Sequence, residues 1–205
     1  NEGSFLVGAL AALVSKSHSV GFIGGMDSPL IQKFEAGFRA GVRTADPQCV
    51  VLVNYAGVTG EAFKNPTKGK ELALAQFAKG ADVIFHASGS TGLGVFEAAK
   101  EKNCLAIGVD SDQSGEMPGH ILTSMVKGVS TAVFTVVQQA KAGTFVGGHH
   151  ELGVKEKGVD YVYDDENRAL IPDAVHAKVE TYRAMIIGGS LIVPAARAEL
   201  DGFHP

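Results

Sequence analysis

Apolar positions along the chain follow two alternating patterns. Short runs rich in valine and isoleucine, Val20 to Ile23, Val50 to Val53, Asp82 to Phe85 and Leu105 to Val109, are separated by longer stretches in which apolar residues recur at helical spacing. The near-continuous apolar character of the runs predicts strands covered on both faces, because a half-exposed strand would alternate with polar residues. The stretches between them predict helices over Gly3 to Lys16, Pro29 to Arg43, Thr67 to Lys79 and Gly92 to Lys102. Ile31, Phe34, Phe38 and Val42 form one stripe of the second helix, and Leu93, Phe96 and Ala99 one of the fourth. Met125 to Ala142 reads as a further helix, Pro172 to Ile187 as the last long one, and Ser190 to Val193 as a final strand. Thr144 to Tyr163 mixes glycine, aromatic and β-branched residues, which predicts one or two short antiparallel strands and a turn near Gly158. The rhythm is that of an α/β chain built on a parallel sheet with helices on both faces. No repeat, low-complexity tract or Pro-rich linker interrupts residues 1–205, so a single unit is expected.

Composition narrows the partners. With 45% hydrophobic and 20% charged residues in 205, the chain can bury a substantial core. Its 18 basic and 22 acidic residues give a net charge of −4, without the positive charge that holds a phosphate backbone, so nucleic acid is not an expected partner. The longest apolar runs, Phe5 to Val14 and Ile186 to Val193, fall short of the about 20 residues needed to span a bilayer. The opening Asn1-Glu2, without Met, a leader-like pattern or a lipid-carrying Cys, reads as a processed or truncated end. Cys49 and Cys104 each precede an apolar run and are expected as small buried hydrophobes. His149 and His150 are adjacent, so in a strand they would point to opposite faces, and no metal site is expected there. No Gly-x-Ser-x-Gly elbow, Cys-His pairing, Walker loop or Cys-x-x-Cys supports an enzyme, and no cofactor is expected.

In an open parallel sheet the ligand crevice lies beyond the carboxyl ends of the strands. Here those positions are polar and glycine-rich: Gly24-Gly25-Met26-Asp27, Asn54-Tyr55-Ala56-Gly57, His86-Ala87-Ser88-Gly89-Ser90-Thr91-Gly92 and Asp110-Ser111-Asp112-Gln113. Ser88 to Gly94 sets small residues before a helix, where free N–H groups can meet a ligand oxygen, although such a loop alone does not separate a nucleotide enzyme from a sugar binder. Asp110 directly follows a strand, where a carboxylate can accept two hydrogen bonds from vicinal hydroxyls, and Asp112 has the place of a turn cap. Lys127, near a helix start, is not favoured by the helix dipole. Phe63, in a loop, needs a core to enter or a flat ligand to stack on.

Six ordered motifs carry a resemblance: Glu2 to Leu6, Val20 to Asp27, Phe34 to Phe38, Thr91 to Ala99, Ala106 to Gln113 and Leu122 to Lys127. Over roughly residues 2 to 160 the chain resembles the basic membrane lipoprotein family. The resemblance implies a Rossmann-like three-layer parallel-sheet lobe of a type I periplasmic binding protein, here the C-terminal lobe with a hinge-crossing segment. It implies capture of a nucleoside, purine in some members, for an ABC transporter permease at the periplasmic or outer face of the membrane, with a lipid anchor in the full-length protein. Phe63 would stack on the base, Gly89 offer a backbone contact, Asp110 take the ribose hydroxyls and Lys127 make a hinge-side polar contact, with Asp27, Phe34 and Ser88 completing the ligand set. In the family another lobe precedes this one, bringing an Asp, an Asn and a second aromatic, and Asn65 stands where the family often has Asp. A lobe presented alone is expected to bury its open face in a homodimer. Competing readings are a sugar or autoinducer receptor with the same crevice, an NAD-dependent enzyme, for which the Gly-x-Gly-x-x-Gly turn is missing, and a repressor core, for which no helix-turn-helix is present.

Overall fold

The computed structural model describes residues 1–204. Five parallel strands and one antiparallel strand form a sheet in the order β2-β1-β3-β4-β5-β6, with β1 Ser19–Met26, β2 Val50–Gly57, β3 Val83–Ala87, β4 Leu105–Asp110, β5 Ile121–Lys127 and β6 Val159–Tyr161. Helices α1 (Glu2–Val14), α2 (Pro29–Ala45) and α6 (Asp173–Ile187) cover one face, with Phe5, Leu10, Phe22, Phe38 and Phe85 at the centre of the larger core. Helices α3 (Pro66–Ala78) and α4 (Gly92–Lys102) cover the other, around Ile23, Ile84, Val95 and Phe96. Both faces of β1 and β3 are thus buried, as their unbroken apolar runs require. In α1 every residue from Gly3 to Ala12 is buried, the condition of a helix that is apolar all round and wedged between sheet and neighbours.

The chain after β4 departs from the sequence reading. Met125 to Ala142 is not one helix. Met125 to Lys127 belong to β5, which pairs parallel to β4, and the helix α5 (Val129–Ala142) begins only after Gly128. Helical spacing of apolar residues carried the expectation across the break, but the open edge of β4 takes the β-branched and apolar Ile121 to Val126 as a strand. Within Thr144 to Tyr163 only Val159–Tyr161 pairs, antiparallel to β5. Ser190 to Val193 forms no strand; Leu191 and Val193 are buried from an irregular tail instead. Cys49 and Cys104 are half-buried rather than buried, because each stands at the rim where a strand begins.

The helix α5 has no buried residue. Val129, Ala132, Val133, Val136, Val137 and Ala140 recur at helical spacing down one side, yet from Val133 to Leu152 every residue is exposed. The chain leaves the sheet at Gly128 and returns at Gly158, and the two points touch through a hydrogen bond from Gly128 N to Gly158 O at 2.8 Å.

Candidate functional site

The order β2-β1-β3-β4-β5 puts the switch point between β1 and β3, where successive crossovers leave for opposite faces and the strand ends open a crevice. A cavity of about 190 Å3 lies there. The segment after β1 contributes Leu30, Ile31 and Phe34, the segment after β2 Phe63, the end of β3 Ala87, Ser88 and Gly89, the end of β4 Val109 and Asp110, and the end of β5 Lys127. Six of the seven sequence candidates therefore meet: Phe34, Phe63, Ser88, Gly89, Asp110 and Lys127. Leu30, Phe34 and Lys127 are shared with an adjoining hollow of about 600 Å3 that runs toward Leu152 and Gly153 in the returning segment.

Charge is concentrated at one end. Lys127 Nζ lies 2.8 Å from Asp110 Oδ1 and 4.7 Å from the centre of the Phe34 ring, so one ammonium both pairs with the carboxylate and sits over an aromatic face. Asp110 has φ +70°, a conformation that a residue with a Cβ adopts at a cost and that recurs at ligand sites. It is 59% exposed at the side chain, which leaves carboxylate lone pairs open to the crevice. Lys127 owes its place to the last position of β5 rather than to a helix start, which removes the objection from the helix dipole.

The opposite wall is aromatic. The Phe63 ring lies against Gly25, where any Cβ would overlap it, so a glycine in β1 is what lets the ring reach the strand end. Its loop is held by Ser90 Oγ donating to Phe63 O at 3.0 Å and Thr91 Oγ1 donating to Ala62 O at 2.7 Å. Asn65 accepts from Lys68 N at 3.0 Å and caps α3, so the amide does here what a carboxylate could do at the same helix start. Gly89, at φ +57°, turns the chain toward the cavity beside this loop.

Over residues 1–197 the sequence matches the Bmp family model, described as ABC transporter substrate-binding protein PnrA-like. The chain belongs to this family. The Bmp-family chain is 39% identical to the CD4+ T-cell-stimulating antigen of Listeria monocytogenes over 95% of its own length, and 36% identical to the ABC transporter nucleoside-binding protein BmpA of Lactococcus lactis, again over 95%. It spans 57% and 58% of the lengths of these two relatives. A solved ABC transporter solute-binding protein from Aeropyrum pernix superimposes with a TM-score of 0.81 at 25% identity, over 98% of this chain and 66% of that one. The architecture is that of type I periplasmic solute-binding proteins. The family model, the Lactococcus relative and the Aeropyrum structure are each described as binding proteins of ABC transporters.

Asp27 is the candidate that the Bmp-family chain keeps out of the cavity. Gln32 Nε2 donates to its Oδ1 at 2.8 Å and Arg197 approaches at 3.0 Å, and these hydrogen bonds hold its carboxyl below the ordinary range. Arg197 also donates to the buried Glu35, which receives the Tyr55 hydroxyl at 2.6 Å; burial and this carboxylate push the Tyr55 phenol well above its usual value. Asp27 thus anchors the C-terminal tail, a pairing across 170 positions that no local pattern announces. Ser88 lines the cavity with its hydroxyl turned inward, 3.3 Å from His86 Nδ1. Asp112 accepts from Ser114 N at 3.0 Å, the turn cap its position suggested. Leu30, Ile31, Ala87 and Val109 are walls that the sequence reading did not single out; all four adjoin strand ends it did quote, so proximity to those ends was the available signal.

Proposed function

We propose that the chain is the C-terminal lobe, with a hinge-crossing segment, of a receptor that captures a nucleoside for an ABC transporter permease. One observation carries this reading: the segments that follow β1 and β2 and the ends of β3, β4 and β5 contribute aromatic rings, a carboxylate and an ammonium to a single cavity at the switch point. A flat base suits the wall formed by Phe63, where stacking on an aromatic ring adds to apolar burial. The vicinal hydroxyls of a ribose suit Asp110, which can accept both, while Lys127 donates to a ring or hydroxyl oxygen. Gly89 offers backbone N–H at the third side. The name of the Lactococcus relative, a nucleoside-binding protein, supports the same ligand class.

The remaining length of the relatives supplies a partner for the exposed apolar stripe of α5. On this reading the chain crosses to the other lobe at Gly128, docks α5 there and returns at Gly158, so the hydrogen-bonded pair of glycines lies on the hinge. The full-length protein acts outside the cell membrane, held there by a lipid anchor.

Isothermal calorimetry on the full-length receptor tests the ligand class: adenosine or guanosine binds at micromolar or better, and ribose alone at least ~100-fold more weakly, a difference of about 3 kcal/mol. Ribose binding as tightly as a nucleoside overturns the assignment. The 205-residue chain by itself binds nucleosides at millimolar strength or not at all, because closure of two lobes excludes water and completes the contacts. Micromolar binding by this chain alone refutes the one-lobe reading.

A further inference from the structure

Toward the cavity, the backbone pairing of β3 with β4 stops short of the strand ends. Their registered partners end at Phe85 and Ile107, although β3 continues to Ala87 and β4 to Asp110. The gap between the two strand ends is bridged by side chains. His86, fully buried, places Nε2 3.2 Å from Gln113 Oε1, and the same oxygen accepts Val109 N at 2.7 Å. Gln113 N in turn bonds the buried Ser124 Oγ of β5 at 3.0 Å. Because Gln113 Oε1 is an acceptor, His86 must donate from Nε2, which leaves Nδ1 to accept the Ser88 hydroxyl at 3.3 Å.

A buried imidazole is costly unless both nitrogens are engaged, and an apolar residue would fill the same space without that demand. The ring is also fixed in orientation: it meets the edge of Phe96 with centroids 5.0 Å apart, and a Cβ on Gly92 would overlap it. Its two partners belong to different loops. Ser88 precedes Gly89, and Gln113 holds Val109, the residue before Asp110.

We propose that His86 and Gln113 are positioning residues that set the separation and orientation of the Gly89 turn and Asp110, and thereby the discrimination between ligands with and without vicinal hydroxyls. The inference rests on the receptor reading given above. Gln113 does not itself line the cavity; it holds Val109 and with it the strand end from which Asp110 projects at φ +70°. A carboxylate that must accept two hydroxyls at once is sensitive to a displacement of a fraction of an ångström, whereas base stacking is tolerant of it.

The test uses the full-length receptor and calorimetric affinities for a nucleoside and its 2′- and 3′-deoxy counterparts, in the parent, Asp110→Asn, Gln113→Met and the double variant. Asp110→Asn is expected to weaken nucleoside binding at least ~10-fold and to flatten the preference over the deoxy compounds. Gln113→Met should weaken the nucleoside ~10-fold, leave the deoxy compounds within ~3-fold, and add less than ~3-fold in the Asp110→Asn background, since two residues that act through one contact are not additive. Should Gln113→Met impair folding, Ser124→Ala, which releases only the Gln113 backbone, is expected to move the same preference in the same direction by ~3-fold. Equal losses for all three ligands, undiminished in the Asp110→Asn background, would overturn the positioning role. If Asp110→Asn itself leaves the preference intact, the receptor assignment of Asp110 fails and the inference falls with it.

Discussion

At the mouth of the sheet, His86, Ser88, Thr91 and Ser124 are buried polar groups with partners, and the apolar residues around them are covered. From Val133 to Leu152 the condition is reversed: every residue is exposed, and Val133, Phe134, Val136, Val137 and Val146 present apolar surface to solvent. The two regions are made from similar residue types, so composition does not separate them; neighbours do. The buried polar groups of the mouth find their partners within this chain. The arm carries several large side chains, each of which would contribute roughly 1.5–3 kcal/mol if covered. A helix can be well formed in sequence terms and still depend for its worth on a surface from another stretch of polypeptide.

The sharpest way to break the comparison is to damage the covered half. Gly41 lets α2 approach α1 so closely that a Cβ would run into the Phe5 carbonyl, and Gly41→Val should cost at least about 3 kcal/mol in urea unfolding of the 205-residue chain, since backbone on both sides resists adjustment. A pH series probes the same half without a mutation. Burial pulls the His86 pKa from 6.5 down to about 4, so between these values the unfolded chain binds a proton that the folded chain refuses. Stability should therefore fall as the pH drops from 6.5 to 4, by up to about 3 kcal/mol from this residue, and the contribution should vanish in His86→Phe. Asp110, Gln113 and Ser88 are the polar groups around the ring, and the first two favour its charged form only weakly against burial.

Arg197→Ala follows, with an expected loss of about 2 kcal/mol in thermal or chemical unfolding. It strips Glu35, 2% exposed, of one cation while Arg39 and Tyr55 remain. The smallest effect should come from the arm. Val133→Lys with Val137→Lys should leave the unfolding free energy of the 205-residue chain within about 0.5 kcal/mol, because both side chains are already in water. The same pair should destabilise the full-length receptor by about 2 kcal/mol and abolish any concentration-dependent dimer that the isolated chain shows in sedimentation. A large stability loss in the isolated chain would mean that the arm is not the uncovered half after all.

Much of the mouth is legible because most candidate side chains stand near an apolar run that is itself easy to see. Gly89 and Asp110 follow apolar runs closely, Phe63 and Lys127 take their expected roles from the family resemblance, and the sheet order brings all four to one cavity. What local pattern could not supply were the relations between distant residues. Asp27 looked like its neighbours at other strand ends, and only Arg197, 170 positions away, diverts it to the tail. Phe34 belonged to a helical stripe, yet it both packs on the core and forms a cavity wall. β5 was hidden in a longer apolar stretch, because Ile121 to Val126 satisfy a helical period almost as well as an extended one and the vacant edge of β4 decides. The arm escaped for a related reason: its stripe is what any buried helix would show, and exposure is not written in a single chain's periodicity.

The meeting of Gly128 and Gly158 bears on how the molecule could be cut. The 29 residues between them leave and return side by side; Val133 to Leu152 is exposed throughout and can be shortened without uncovering the core, whereas Val154, buried and bonded through its N–H to Glu2, must stay. Such a trimmed protein would keep the residues that line the cavity and shed the exposed apolar arm.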